Sequence, residues 1–129
     1  MLTNLHHIGF LRSSLASGEE LISQGYSQVV GPIHESKFFV TNLLLEKQGF
    51  PRVELVVPDD VSAANRKFLD TSYSHHLCFE VNDIYTVLQV TTNQGGRMVS
   101  GISHSQLHNS EICFVHIKHL GLVELLQAR

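Results

Sequence analysis

Residues 74–79 read Ser-His-His-Leu-Cys-Phe, and residues 5–10 read Leu-His-His-Ile-Gly-Phe. The likeness continues downstream, where Val53-Glu54-Leu55 returns as Val123-Glu124-Leu125. His7 precedes Glu54 by 47 residues, and His76 precedes Glu124 by 48. The halves are therefore offset by 69 residues at the histidines and 70 at the glutamates, so one residue has been inserted. Val29-Val30-Gly31 and Val99-Ser100-Gly101 already match at 70, which puts the insertion near Gly25 and Gly95. A unit carrying one imidazole and one carboxylate, present twice, suggests two halves that jointly build a site of two His and two Glu.

Outward from these motifs the chain reads as β-α-β-β-β, twice. Leu5 to Leu11 is short, apolar and bounded by polar residues, which predicts a strand. Ser17-Gly18-Glu19-Glu20 has the spacing of a capping box for a helix to about Gln24, with a start near Ser14 as the alternative. Gly25 ends that helix without a Cβ penalty. Gln28 to Val30, Phe38 to Leu45 and Arg52 to Val57 read as strands, the last two joined by a turn at Gln48-Gly49-Phe50-Pro51. In the second half His75 to Val81 is a strand. Asn82 or Asp83 caps a helix reaching about Thr92, and Gln94-Gly95-Gly96 ends it. Met98 to Gly101, Ile112 to Ile117 and Leu122 to Leu126 are strands, with a turn at His119 to Gly121. The modules run 1–58 and 73–129. Pro58-Asp59-Asp60 starts a linker helix over about 59–72, whose amphipathic part is Val61 to Leu69. Neither half buries its sheet alone. The expected fold is α+β in a single domain, 1–129: two βαβββ modules forming one curved mixed sheet, with helices on its convex face and a concave cleft.

Strand side chains alternate between faces. Ile8 and Phe10 are the large apolar pair of the first strand and belong under its helix, which turns His7 to the cleft. By the same parity Leu77, Phe79 and Val81 face the helices, while His76, Cys78 and Glu80 face inward. Val53, Leu55 and Val57 leave Glu54 inside, and Val123 and Leu125 leave Glu124 inside. Parity thus selects the residues that the repeat selects. Two imidazoles and two carboxylates suit a borderline divalent ion such as Co, Ni, Zn, Mn or Fe. An octahedral ion so held keeps two positions for water or substrate oxygens. It would polarise a carbonyl and stabilise the enolate formed when an adjacent C–H is deprotonated.

Composition narrows the partners. At 129 residues the chain fits one sizeable core, and 43% hydrophobic with 16% charged residues is ordinary for a globular protein. The net charge is −3 and no basic run is present, which argues against nucleic acid and anionic membrane. Apolar runs are too short to span a bilayer. No signal peptide precedes the first motif, and the two cysteines, Cys78 and Cys113, read as a reduced pair, so a cytoplasmic protein is expected. Nine histidines are many for this length and favour metal or proton chemistry.

Four motifs stand in register: His-His-Ile-Gly-Phe at 6–10, Val-Glu-Leu-Val-Val-Pro at 53–58, His-His-Leu-Cys-Phe-Glu-Val-Asn-Asp-Ile at 75–84 and Leu-Val-Glu-Leu at 122–125. Together they resemble the vicinal oxygen chelate superfamily, which includes glyoxalase I, methylmalonyl-CoA epimerase, extradiol dioxygenases and bleomycin-resistance proteins. The stretch from His75 to Ile84, and Cys113-Phe114-Val115-His116 leading into Gly121-Leu122-Val123-Glu124, are most similar to the epimerase branch. The resemblance implies metal ligands at His7, Glu54, His76 and Glu124. The Glu54 position is often Gln in bacterial epimerases and Glu in glyoxalase I. Epimerases that use two bases have a further inward Glu early in the third strand. Hydrophobic Phe38 or Phe39 stands near that point here, with Glu35 and Glu46 close by.

The function expected is a metal-dependent epimerase, isomerase or lyase. It would abstract a proton next to a metal-chelated carbonyl, on a small molecule such as an acyl thioester, with Glu54 and Glu124 as the catalytic carboxylates. Glu35, Glu46 and Glu111 are further base candidates. His116, Cys78 and Phe39 are candidate substrate contacts. Lys37, Arg97 and Lys118 read as surface, His6 and His75 as support for the sheet or a helix, and His34, His104, His108 and His119 as loop residues without a motif. The alternative, from another class, is a drug or metabolite binding protein of the bleomycin-resistance type. A dioxygenase ranks third, since it would need iron on three protein ligands. An exposed sheet edge in each half predicts a homodimer.

Overall fold

The computed structural model describes residues 2–62 and 67–129. It is α+β and holds two compact units, one of His7–His75 and one of Met1–His6 with His76–Arg129. The elements are β1 (Leu5–Leu11), α1 (Ala16–Ser23), β2 (Ser27–Glu35), β3 (Val40–Glu46), β4 (Arg52–Pro58), β5 (His76–Val81), α2 (Ile84–Asn93), β6 (Arg97–Ser105), β7 (Ser110–Ile117) and β8 (Gly121–Gln127). Both repeats are βαβββ. The units divide the chain differently from modules of 1–58 and 73–129, and backbone bonds give the reason. The Glu80 amide donates to the Asn4 carbonyl at 2.9 Å, which ties the chain start to β5. The His75 amide donates to the Gly9 carbonyl at 2.7 Å and the Asp70 amide to that of Leu11 at 3.0 Å, which ties 70–75 to β1.

In the first repeat the strand order is β2-β3-β4-β1, with β1 parallel to β4 and the other pairs antiparallel. In the second it is β6-β7-β8-β5, with β5 parallel to β8. Leu43↔Leu55 and Leu44↔Glu54 recur 70 residues later as Cys113↔Leu125 and Phe114↔Glu124. Even the bulges match: β2 breaks register between Gln28 and Val30 and between Val30 and Ile33, and β6 at the same points of its own repeat. The bulges carry β2 and β6 well beyond the short strands that alternation predicts, and Phe38 and Phe39 fall in a turn, so β3 starts only at Val40.

The inserted residue is not at the glycines. The helices end in register at Ser23 and Asn93, and Gly25 and Gly95 share a left-handed φ of 101° and 102°. α2 has 10 residues against 8 in α1 but starts eight residues after His76 where α1 starts nine after His7, a net gain of one residue. The two starts differ chemically. Asp83 caps α2, accepting from the amides of Tyr85 and Thr86 and from the Thr86 hydroxyl; that hydroxyl bond first, then the amides, hold its carboxyl below the usual range. The capping box proposed for α1 does not form. Ser17 is already inside the helix with its buried Oγ unbonded, and Ser14 Oγ accepts from the Ala16 amide at 3.3 Å. Gly18 is where α1 meets β3: a Cβ there would stand 3.2 Å from Leu43 Cδ2.

Each helix covers an apolar face. In the first repeat Leu43, Leu45, Val53 and Leu55 pack with Phe10, Leu15, Leu21 and Tyr26. In the second, Val81, Ile84, Cys113, Val123 and Leu125 pack with Phe79, Val87 and Leu88. Among them Phe10, Val53, Leu55, Phe79, Val81, Val123 and Leu125 are residues that parity assigned to the helix side. Of the linker helix, 63–66 lie outside the described residues; Val61–Ser62 and Lys67–Asp70 form turns.

Candidate metal centre

With the apolar residues committed to the helices, the opposite face of each sheet carries the polar groups. In the first repeat Gly9 pairs with Glu54. His7 lies two residues earlier on the same face, and the absent side chain of Gly9 lets its ring reach the glutamate. His7 Nε2 is 3.3 Å from Glu54 Oε2, and both side chains are buried. The second repeat does the same with another small residue. Cys78 pairs with Glu124, and His76 Nε2 is 3.2 Å from Glu124 Oε1, again buried. The His76 and Phe114 rings meet nearly at right angles, 5.7 Å between centroids. A buried carboxylate without a donor or counter-charge would be costly. Each repeat supplies its own imidazole, so sequence reasoning found both pairs and each is assembled within its own unit.

His108 was not found. It lies in the β6–β7 turn, yet its side chain is only 4% exposed and its Nε2 is 4.0 Å from Glu124 Oε2. The His6 ring stands edge-on to it, 5.4 Å between centroids. Turn residues escape strand alternation, and the repeat has Phe38 at the corresponding point, so neither signal reaches His108.

Glu35 ends β2 and is also buried; its Oε2 accepts from Asn42 Nδ2 at 2.9 Å. Asn42 and Glu54 face the same side, since Asn42 pairs with Val56 and Leu44 with Glu54. Of the other base candidates, exposed Glu46 pairs with Arg52 at 3.6 Å, and Glu111 accepts from the Tyr85 hydroxyl at 2.9 Å, which pushes that phenol up. Cys78 is fully buried on the His76 face, whereas His116 is exposed on β7. Phe39 is 70% exposed in a left-handed turn conformation. Lys37, Arg97, Lys118, His104 and His119 are exposed, and His34 bonds Asp59 at 2.9 Å. Cys113 lies on the helix side, where burial first and the Glu124 carboxylate second push its thiol up to about 12.

Residues 6–114 match the sequence pattern of the Glyoxalase/Bleomycin resistance protein/Dioxygenase superfamily. The chain belongs to this superfamily. A relative, the mitochondrial methylmalonyl-CoA epimerase of Dictyostelium discoideum, is 24% identical over 127 residues, 94% of this chain and 76% of that protein. The superfamily fold is shared with the Mycobacterium tuberculosis methylmalonyl-CoA epimerase, at 24% identity and a TM-score of 0.78 over 99% of this chain and 89% of the other. A variant of the Streptomyces coelicolor epimerase, solved with 2-nitronate-propionyl-CoA, is 22% identical with a TM-score of 0.76, covering 99% of each chain. No helix among the described residues is long and apolar enough to cross a membrane.

Proposed function

We propose that the protein is a metal-dependent epimerase that moves the proton next to the carbonyl of an acyl thioester, with a glyoxalase I-like lyase as the nearest variant. The observation that carries this reading is the pair of buried His–Glu contacts, one per repeat, at 3.3 Å and 3.2 Å. Epimerase relatives of the same fold, one of them solved with an acyl-CoA ligand, support it.

His7, Glu54, His76 and Glu124 are the proposed ligands of a divalent ion, Co, Ni, Zn, Mn or Fe. The donor set of two nitrogens and two carboxylates suits such an ion, and the 3.2–3.3 Å spacings are those of neighbouring donors about 2.0–2.2 Å from one centre. When bound, the ion supplies electrophilic stabilisation of the negative charge that develops on the substrate carbonyl oxygen. The chain's own work is to hold the imidazoles beside their carboxylates, exclude water by burial and carry the proton. Glu54 and Glu124 are the proposed proton carriers, each keeping one oxygen for its histidine. Cys78, His116 and Phe39 remain the proposed substrate contacts. A homodimer joined through the edge strands β2 and β6 is part of this reading; sedimentation velocity should give twice the chain mass of 14.4 kDa.

The test is α-hydrogen exchange. Incubated in deuterium oxide with methylmalonyl-CoA and a divalent ion, the protein should incorporate one deuterium next to the carbonyl. A chelator, His76→Ala or Glu124→Ala should stop the exchange. Metal-loaded protein that exchanges neither acyl thioesters nor hemithioacetals, yet binds a small ligand equally well after metal removal, would make the sequestering protein the correct reading.

A further inference from the structure

We infer that His108 is a fifth donor to the proposed ion, so that the second repeat alone offers two imidazoles and a carboxylate. This rests on the four-ligand reading above and extends it with a residue that the repeat does not contain.

The two oxygens of Glu124 are flanked separately. His76 Nε2 stands 3.2 Å from Oε1, and His108 Nε2 stands 4.0 Å from Oε2. The second distance is too long for a hydrogen bond. It is still within the span of two donors on one ion, since ligand distances of about 2.0–2.2 Å allow separations up to about 4.4 Å. A turn histidine would ordinarily point to water, but the His108 side chain is only 4% exposed.

The backbone explains how the turn sends it inward. The His108 amide donates to Ser105 Oγ at 3.3 Å, and Ser105 is fully buried. Asn109 follows in a left-handed conformation, φ 50°, a region that Asn tolerates better than most residues. The first repeat makes the same turn, with Phe39 at φ 55°, but carries Phe38 where the second carries His108. Turn geometry is therefore common to both repeats, while the donor atom is peculiar to one. The His6 ring packs nearly perpendicular to the imidazole, 5.4 Å between centroids.

With His108 among its donors, the ion would keep one position fewer for water or substrate oxygens than His7, Glu54, His76 and Glu124 alone would leave it.

Cobalt(II) tests this without reference to activity. His108→Phe installs the first repeat's residue, and His108→Gln keeps polarity but removes the imidazole. Each metal-free variant is titrated with Co(II) while its visible absorption and chelator-competed affinity are recorded, beside wild type and His76→Ala. The expected result is affinity about tenfold or more below wild type in both variants. An altered visible band should accompany it, because fewer donors change the intensity of Co(II) absorption. Wild-type affinity and an unchanged band in either folded variant, with binding lost in His76→Ala, would overturn the role of His108 and leave the four-ligand site standing. No Co(II) uptake by the wild-type chain would overturn both.

Discussion

Glu35 and Asn42 form a buried pair that neither alternation nor the repeat singles out. Glu35 closes β2 next to the turn, and its counterpart 70 residues on is Ser105. Asn42 Nδ2 donates to the Glu35 carboxylate at 2.9 Å, and both residues are buried. Asn42→Leu keeps the branched shape of the side chain and removes that donor, so it should lower the unfolding free energy by about 1–3 kcal/mol, read from the urea midpoint. An unchanged midpoint would mean that Asn42 contributes nothing to holding this carboxylate. Cys113 makes an opposite statement. Its thiol, pushed up to about 12, stays protonated near neutrality, and the thiol is a poor nucleophile. In a Cys78→Ala background, native protein at about pH 8 should not react with an aromatic disulfide reagent, whereas urea-unfolded protein should react promptly. The sign of the linkage follows: the folded state holds this proton more tightly than the unfolded chain. The thiol's contribution to stability is therefore fully present below about pH 8.5 and is lost as pH rises toward the folded value. His7, Glu54, His76 and Glu124 were legible because repeat and parity each select them. His108 was not, because a turn residue obeys neither period, and Glu35, at a strand end, was reached only as a base candidate without its Asn42 partner.

Elements were legible where side chains alternate and obscure where the backbone departs from regular geometry. The helix faces followed from Phe10, Val53 and Leu55, and from Phe79, Val123 and Leu125, all of which pack where alternation put them. Strand lengths did not, because β2 and β6 continue through bulges that break the period-two pattern. One glycine in those bulges has a definite conformational task. Gly31 has φ +99°, and a Cβ there would stand 2.6 Å from the Asn42 carbonyl oxygen. Its counterpart Gly101 has no such angle, and nothing lies within 4 Å of a Cβ there. The two substitutions should therefore diverge. Gly31→Ala should cost about 1–3 kcal/mol in urea unfolding, from an unfavourable φ and a backbone clash. Gly101→Ala should stay within about 0.5 kcal/mol of wild type. Equal effects would show that the strain argument fails at this bulge.

At the scale of the molecule, one duplicated plan has been kept in its backbone and altered in its buried polar groups. Cross-strand registers, bulges and left-handed turns recur at an offset of 70. Against that constancy Glu35 becomes Ser105, Asn42 becomes Ile112 and Phe38 becomes His108. The first repeat thus holds an extra carboxylate and the second an extra imidazole. An ion bound by the native chain and not by the unfolded one adds RT ln(1 + [L]/Kd), about 2.7 kcal/mol at a hundredfold excess over Kd. For a chain of this size that is a rise in melting temperature on the order of 10 °C. Metal-free protein titrated with Zn or Co should show such a rise, whereas Mg, which prefers all-oxygen octahedra, should give little. Glu124→Ala should abolish the rise, because its carboxylate stands beside the His76 and His108 imidazoles. If the melting temperature ignores every one of these ions, the buried His–Glu pairs are neutralising each other as structural contacts, and the carbonyl chemistry built on them has no electrophile.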